Sequence, residues 1–119
     1  MEFNYIYGKQ ADQFSNVNIP KFLIKEERFS GLSLESKLLY GLILDRMGIS
    51  QKNNWKDEEG HIYVLYPVSE IQEDMNRSEA SVNQYMSELE KAGLLEKKMR
   101  GSGLPCMLYL KKISYQREV

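Results

Sequence analysis

At 119 residues, with 42% apolar and 28% charged side chains, the chain has the size and make-up of one globular domain. A lone cysteine, Cys106, and a lone histidine, His61, exclude both an intramolecular disulfide and a four-ligand Cys/His zinc site, and no apolar run reaches bilayer length. The net charge of −1 argues against a simple polycation, yet residues 54–74 sum to −5 and residues 91–113 to +5, so the local fields are far larger than the total implies.

The N-terminus, MEFNYIYGKQ, lacks the basic start and apolar block of a secretory signal. With the single thiol, this fits a reducing cytoplasm. Phe3, Tyr5 and Tyr7 alternate as a short strand would, and residues 1–24 read as an N-terminal arm that Pro20 interrupts. Phe22, Leu23 and Ile24 are expected to cap one end of the core that residues 25–113 build.

A helix is predicted over about 34–47, capped by Ser33, with Glu35 at its positive end and Gly48 as its stop. Leu34, Leu38, Leu39, Leu42, Ile43 and Met47 give it a wide apolar face. The polar, acidic stretch 51–60 follows, with Trp55 as a plug over the core edge, and His61–Tyr66 reads as a strand closed by Pro67. Ser69 is placed to cap a short helix over 70–75. After Asn76-Arg77, Ser78 caps a longer one over 79–92 that Gly93 ends, with Val82, Tyr85, Met86 and Leu89 inward. Two helices joined so tightly form a helix-turn-helix pattern. Strands at 94–99 and 106–112 flank Arg100-Gly-Ser-Gly-Leu-Pro105, where Gly101 and Gly103 permit backbone angles that other residues resist. The order of elements is that of an α+β winged helix-turn-helix: a three-helix core, a small antiparallel sheet and an N-terminal arm.

In a helix-turn-helix the second helix lies in the major groove. Its outward side here carries Glu79, Ser81, Asn83, Gln84, Ser87 and Lys91. Amides match the donor and acceptor of adenine, serine bonds base or phosphate, and glutamate can accept from cytosine. The plainer alternative is that these side chains only keep an exposed helix soluble, and Glu79 and Glu88 weaken attraction to phosphate. The hairpin supplies the cations. Lys97, Lys98 and Arg100 lead into a thin loop, Gly101-Ser102-Gly103, and Arg77 and Ser78 stand in the turn before the reading helix. Each phosphate neutralised makes log affinity fall by about 0.9 per log unit of salt. Because strand residues alternate, Lys97 and Lys98 cannot face the same way, and Lys98 with Arg100 is the expected pair. Phosphate contacts would hold the register while the helix reads sequence.

Catalytic chemistry has little support. His61 has no serine partner, no phosphate-binding glycine motif occurs, and Asp57-Glu58-Glu59 reads as a solvated loop, so no enzyme, metal or cofactor is expected.

With the elements placed, the chain resembles the N-terminal domain of RepA-type plasmid replication initiators of low-GC Gram-positive bacteria, staphylococci among them. The resemblance runs from about Phe14 to Lys112. It rests on Ile19-Pro20-Lys21-Phe22, Leu32-Ser33, Lys37-Leu38-Leu39-Tyr40 and Asp45-Arg46. It continues through Ser50, Asn53, Trp55, Gly60, Tyr63, Gly101-x-Gly103-x-Pro105 and Tyr109. It implies binding of double-stranded DNA at repeated origin sites (iterons), with initiation of plasmid replication and control of copy number, usually as a homodimer. It also implies a further C-terminal domain that meets host replication proteins, so that the chain is a fragment. A basic residue is common in such proteins where Leu104 stands; the change removes a phosphate contact or sets an apolar side chain against sugar. A winged-helix transcriptional repressor would share these local features, and a protein-interaction winged helix is the rival of a different class.

Overall fold

A computed structural model of the chain describes residues 2–113, apart from the side chains of 49–51. Four helices and three short strands follow one another in the order α1 (Lys21–Lys25), α2 (Leu34–Lys52), β1 (Val64–Leu65), α3 (Val68–Met75), α4 (Glu79–Lys91), β2 (Leu95–Lys98), β3 (Met107–Leu110). The sheet is antiparallel with β3 in the middle; Val64 pairs with Leu108, and Leu95 through Lys98 pair with Leu110 back to Met107. Helices α2 and α3 both pack on α4, with the sheet closing one side and the β2–β3 loop as the wing. This is a winged helix.

The core is one apolar cluster. Leu39 and Ile43 from α2, Ile71 from α3, Val82 and Leu89 from α4, and Val64 and Leu108 from the sheet are almost wholly withdrawn from water. Val82, Tyr85, Met86 and Leu89 are all buried, because a stripe at spacings of three and four has only one way to face a core. Ser33 caps α2 through its Oγ, which accepts from the Ser36 amide at 3.1 Å. Trp55 is half-buried and stacks on Tyr63 with ring centroids 6.5 Å apart.

Several boundaries differ from the sequence reading. Phe3, Tyr5 and Tyr7 pair with no described strand and are followed by a 3-10 turn at Gly8–Gln13; alternation without a partner's ladder does not make a strand. Leu34 is 73% exposed and Leu38 37%, so the apolar face of α2 is narrower than the sequence suggests, and Ser36 and Lys37 are buried instead. Gly48 does not stop α2, which runs on to Lys52; the residue that takes a left-handed turn is Asn54, φ 57°. Before α3, Pro67 rather than Ser69 stands at the cap. Its carbonyl accepts from Glu70 and Ile71, and its fixed φ of −60° suits a helix entrance. The strand expected over 61–66 shrinks to Val64–Leu65, because Lys56 and Ile62 form their own bridge and the Tyr63 amide bonds back to the Trp55 carbonyl. Leu23 is fully buried and Phe22 meets Phe29 and Tyr40 edge-on, but Ile24 is exposed.

The arm is tied to the body at one notch. A Cβ on Gly41 would come within 2.9 Å of the Asn18 carbonyl oxygen and 3.0 Å of Val17 Cγ1, so residues 17–19 lie directly on the backbone of α2. A glycine inside a helix costs roughly 1 kcal/mol against alanine, and close approach of another backbone is what it permits here.

Candidate nucleic-acid interface

Asn76 ends α3 in a left-handed conformation, φ 54°, and the Arg77 amide donates to the Gln72 carbonyl at 3.1 Å. This short turn projects the Arg77 side chain into solvent, with Nη1 donating to the Asn76 carbonyl, beside a shallow polar hollow that Ser69, Gln72, Glu73 and Ser78 also line. The Ser78 Oγ accepts from the Ser81 amide at 3.2 Å, and the two hydroxyls are 3.0 Å apart. Ser78 and half-buried Ser81 are therefore partly occupied in starting α4.

Beyond them the helix presents Asn83, Gln84, Ser87 and Lys91 at spacings of three and four, opposite the buried stripe. Asn83, Gln84 and Lys91 are exposed and Ser87 is half-buried. Glu79 is exposed at the helix start. Glu88 does not share that face. Its carboxylate accepts from the Ser33 amide at 2.8 Å and from the Ser33 hydroxyl at 3.0 Å, so a charge that would repel phosphate serves instead to join α4 to the start of α2.

The wing stands beside α4. Lys97 Nζ lies 4.0 Å from the Glu90 carboxylate of α4, and Lys97, Gly103, Leu104 and Cys106 of the hairpin line one hollow of about 300 Å³ with Met86 of α4 and Tyr66 to Val68. Pairing in β2 sends Lys98 to the opposite face, with Nζ 5.4 Å from the centroid of the Tyr109 ring. Of the two lysines it is Lys97, not Lys98, that shares the cleft with α4; alternation alone could not tell which parity faces the helix. Arg100 is exposed and makes no ion pair among the described residues. Gly101 (φ 127°) and Gly103 (φ 78°) bend the exposed tip, where the Leu104 amide donates to the Gly101 carbonyl at 3.3 Å.

Part of the acidic block of the sequence is engaged elsewhere. Glu70 pairs with Arg46, whose guanidinium lies 3.9 Å above the Tyr66 ring, and the Tyr66 hydroxyl donates to Asp74. Burial, and then that carboxylate, push the Tyr66 phenol well up. Asp57 accepts from the Glu59 and His61 amides at 3.0 and 2.8 Å. Burial pushes its carboxyl up but is outweighed by the His61 amide, the Tyr109 hydroxyl and the Glu59 amide, leaving it below its ordinary value of 3.8. These carboxylates fasten α3 to α2 and close a turn. Among the described residues no cluster of three metal-ligating side chains occurs, and no helix is long and apolar enough to cross a membrane.

A family model described as the replication initiator protein A (RepA) N-terminus matches residues 15–119. Three solved structures are similar over nearly the whole chain. One described as the N-terminal domain of a DNA binding protein has 30% identity and a TM-score of 0.77, covering 97% of this chain and 88% of that one. A second, of a Rep–DNA complex, has 31% identity and a TM-score of 0.77, covering 96% and 88%. A third, of an MDR initiator, has 28% identity and a TM-score of 0.76, covering 96% and 90%. Among curated proteins, a 41 kDa protein of Lactobacillus helveticus is 32% identical over 77 residues, a stretch spanning 65% of this chain and 22% of that protein.

Proposed function

The chain belongs to the replication initiator protein A N-terminus family, and from that membership we propose that it binds double-stranded DNA at repeated sites of a plasmid origin, thereby starting replication and setting copy number. The observation that carries the reading is the wing lying against the recognition helix, with Lys97 4.0 Å from Glu90. A cationic hairpin and an amide-bearing helix on one side can engage backbone and base edges of the same duplex together. The likeness to a solved Rep–DNA complex supports the same partner.

In this reading α4 enters the major groove, with Asn83, Gln84 and Ser87 at base edges. Arg77, Lys91, Lys97 and Arg100 contact phosphates, joined by the amides of Gly101, Ser102 and Gly103. Ser78, Ser81 and Glu79 set the helix start, and Lys98 has a lesser share. The chain acts without a cofactor and is not an enzyme; it works in the cytoplasm as a homodimer, with the aromatic arm as the contact between copies. Host replication proteins are met through a further C-terminal domain.

The test is a binding titration with an origin duplex and a scrambled control at two salt concentrations. Tighter binding to the origin duplex, with affinity falling as salt rises, is expected. Equal binding to both sequences removes the origin-reading role, and no shift with either removes DNA as the partner.

A further inference from the structure

The wing tip carries two apolar side chains that the fold leaves in water: Met99 is 83% exposed and Leu104 is 52% exposed. Single exposed apolar residues are ordinary on a protein surface. These two differ in where they stand. They flank the Arg100-Gly-Ser-Gly bend that joins β2 to β3, and Leu104 lines a hollow under the hairpin that Met86 of α4 and Tyr66 to Val68 also line. From Lys97 to Ile113 the chain contains no carboxylate, and Glu96 at the base of the hairpin is paired with Lys111 at 3.2 Å. The Leu104 amide is held by the Gly101 carbonyl, which fixes the tight bend, while Gly101 and Gly103 keep the backbone on either side of Ser102 thin.

Apolar side chains on a thin, basic projection are the chemistry of a minor-groove wedge. Such a wedge gains by packing on deoxyribose and partly unstacked bases, and it favours pyrimidine–purine steps, which open at least cost. Resting on the DNA-binding reading above, we infer that Met99 and Leu104 form an apolar wedge at the wing tip that enters the minor groove beside the site read by α4, and selects a deformable base step there. Lys97 and Arg100 supply the charge that brings the tip to the backbone; Leu104 and Met99 supply a contact that salt does not screen.

The experiment uses the duplex enriched by the unmodified chain from a random-sequence pool, prepared with either TA or AA at the step that the wing protects in a footprint. The double variant Met99→Ser/Leu104→Ser is compared with the unmodified chain, and thermal melting checks that both fold. The expected result is a loss of about tenfold in affinity, the scale of leaving an apolar side chain in water, with the salt slope unchanged. The preference of the unmodified chain for TA over AA should also vanish in the variant. As a second variant, Leu104→Lys should steepen the salt slope by about one phosphate contact and weaken the TA preference. Unchanged affinity of the double variant, or a loss accompanied by a shallower salt slope, overturns the wedge while leaving DNA binding intact. If the unmodified chain enriches no duplex at all, the DNA-binding reading itself falls.

Discussion

Gln84 and Arg100 sit on different elements and do different chemistry, so their variants should separate. Gln84→Ala removes a donor–acceptor pair from the exposed face of α4 and should cost about 1–3 kcal/mol at one base pair while leaving random duplex untouched. Arg100→Ala should weaken binding to every sequence and lower the salt slope by about one contact. Titrations of both variants against specific and random duplex check the pair; equal losses on both duplexes for Gln84→Ala would remove its reading role. The two lysines of β2 offer a sharper comparison. Lys97 shares the cleft with α4 and Lys98 lies over Tyr109 on the other face, so Lys97→Ala should reduce the salt slope more than Lys98→Ala does. Asp57 sets a pH dependence of stability. Its carboxyl is depressed in the folded chain, so its contribution is complete above the ordinary value of 3.8 and is lost as pH falls through the lower folded value. Melting temperatures of the unmodified chain should drop as pH falls below 3.8 by more than those of Asp57→Asn.

Among the elements, α2 depends on a contact that a single methyl group would abolish. Gly41→Ala would place its Cβ 2.9 Å from the Asn18 carbonyl, and backbone cannot swing aside as a side-chain tip can. The variant should lose about 1–3 kcal/mol in denaturant titration, despite alanine being the better helix former, and residues 17–19 should exchange amide hydrogens faster. A gain in stability would mean that the arm does not rest there. Helix α4 was legible because Val82, Tyr85, Met86 and Leu89 make one narrow stripe bounded by a serine cap and a glycine. Helix α2 was less so, since it is apolar on most sides and periodicity cannot choose which leucines go inward. Leu34 was expected inside and lies largely in water, and Leu38 is only partly covered, whereas buried Ser36 and Lys37 carried no apolar signal. The parity of Lys97 depends on which face of the sheet meets α4, which is a tertiary fact. Glu88 looked like a liability for DNA because its partner, Ser33, lies 55 residues away. The one local hint of the arm's seat was a glycine in a helix interior, where it is otherwise unfavourable.

At the scale of the whole molecule, charge segregation acquires a structural explanation. Glu70, Asp74 and Asp57 are engaged with Arg46, Tyr66 and a turn, while Arg100 stays out of ion pairs among the described residues. A near-neutral protein can thus present a cationic edge without attracting DNA all round. If the aromatic arm joins two copies, removing residues 1–13 should shift sedimentation from dimer to monomer and weaken binding to paired sites more than to a single site. An unaltered sedimentation coefficient after accounting for the lost mass would assign the arm to its own domain.

The missing methyl of Gly41 also acts as a geometric setting. Because residues 17–19 rest on the Gly41 notch of α2, the arm leaves the body at a fixed point on that helix. Two protomers clasped through that arm would inherit a defined angle between their reading helices, and the distance between adjacent DNA repeats would be written into the protein by the smallest side chain it has.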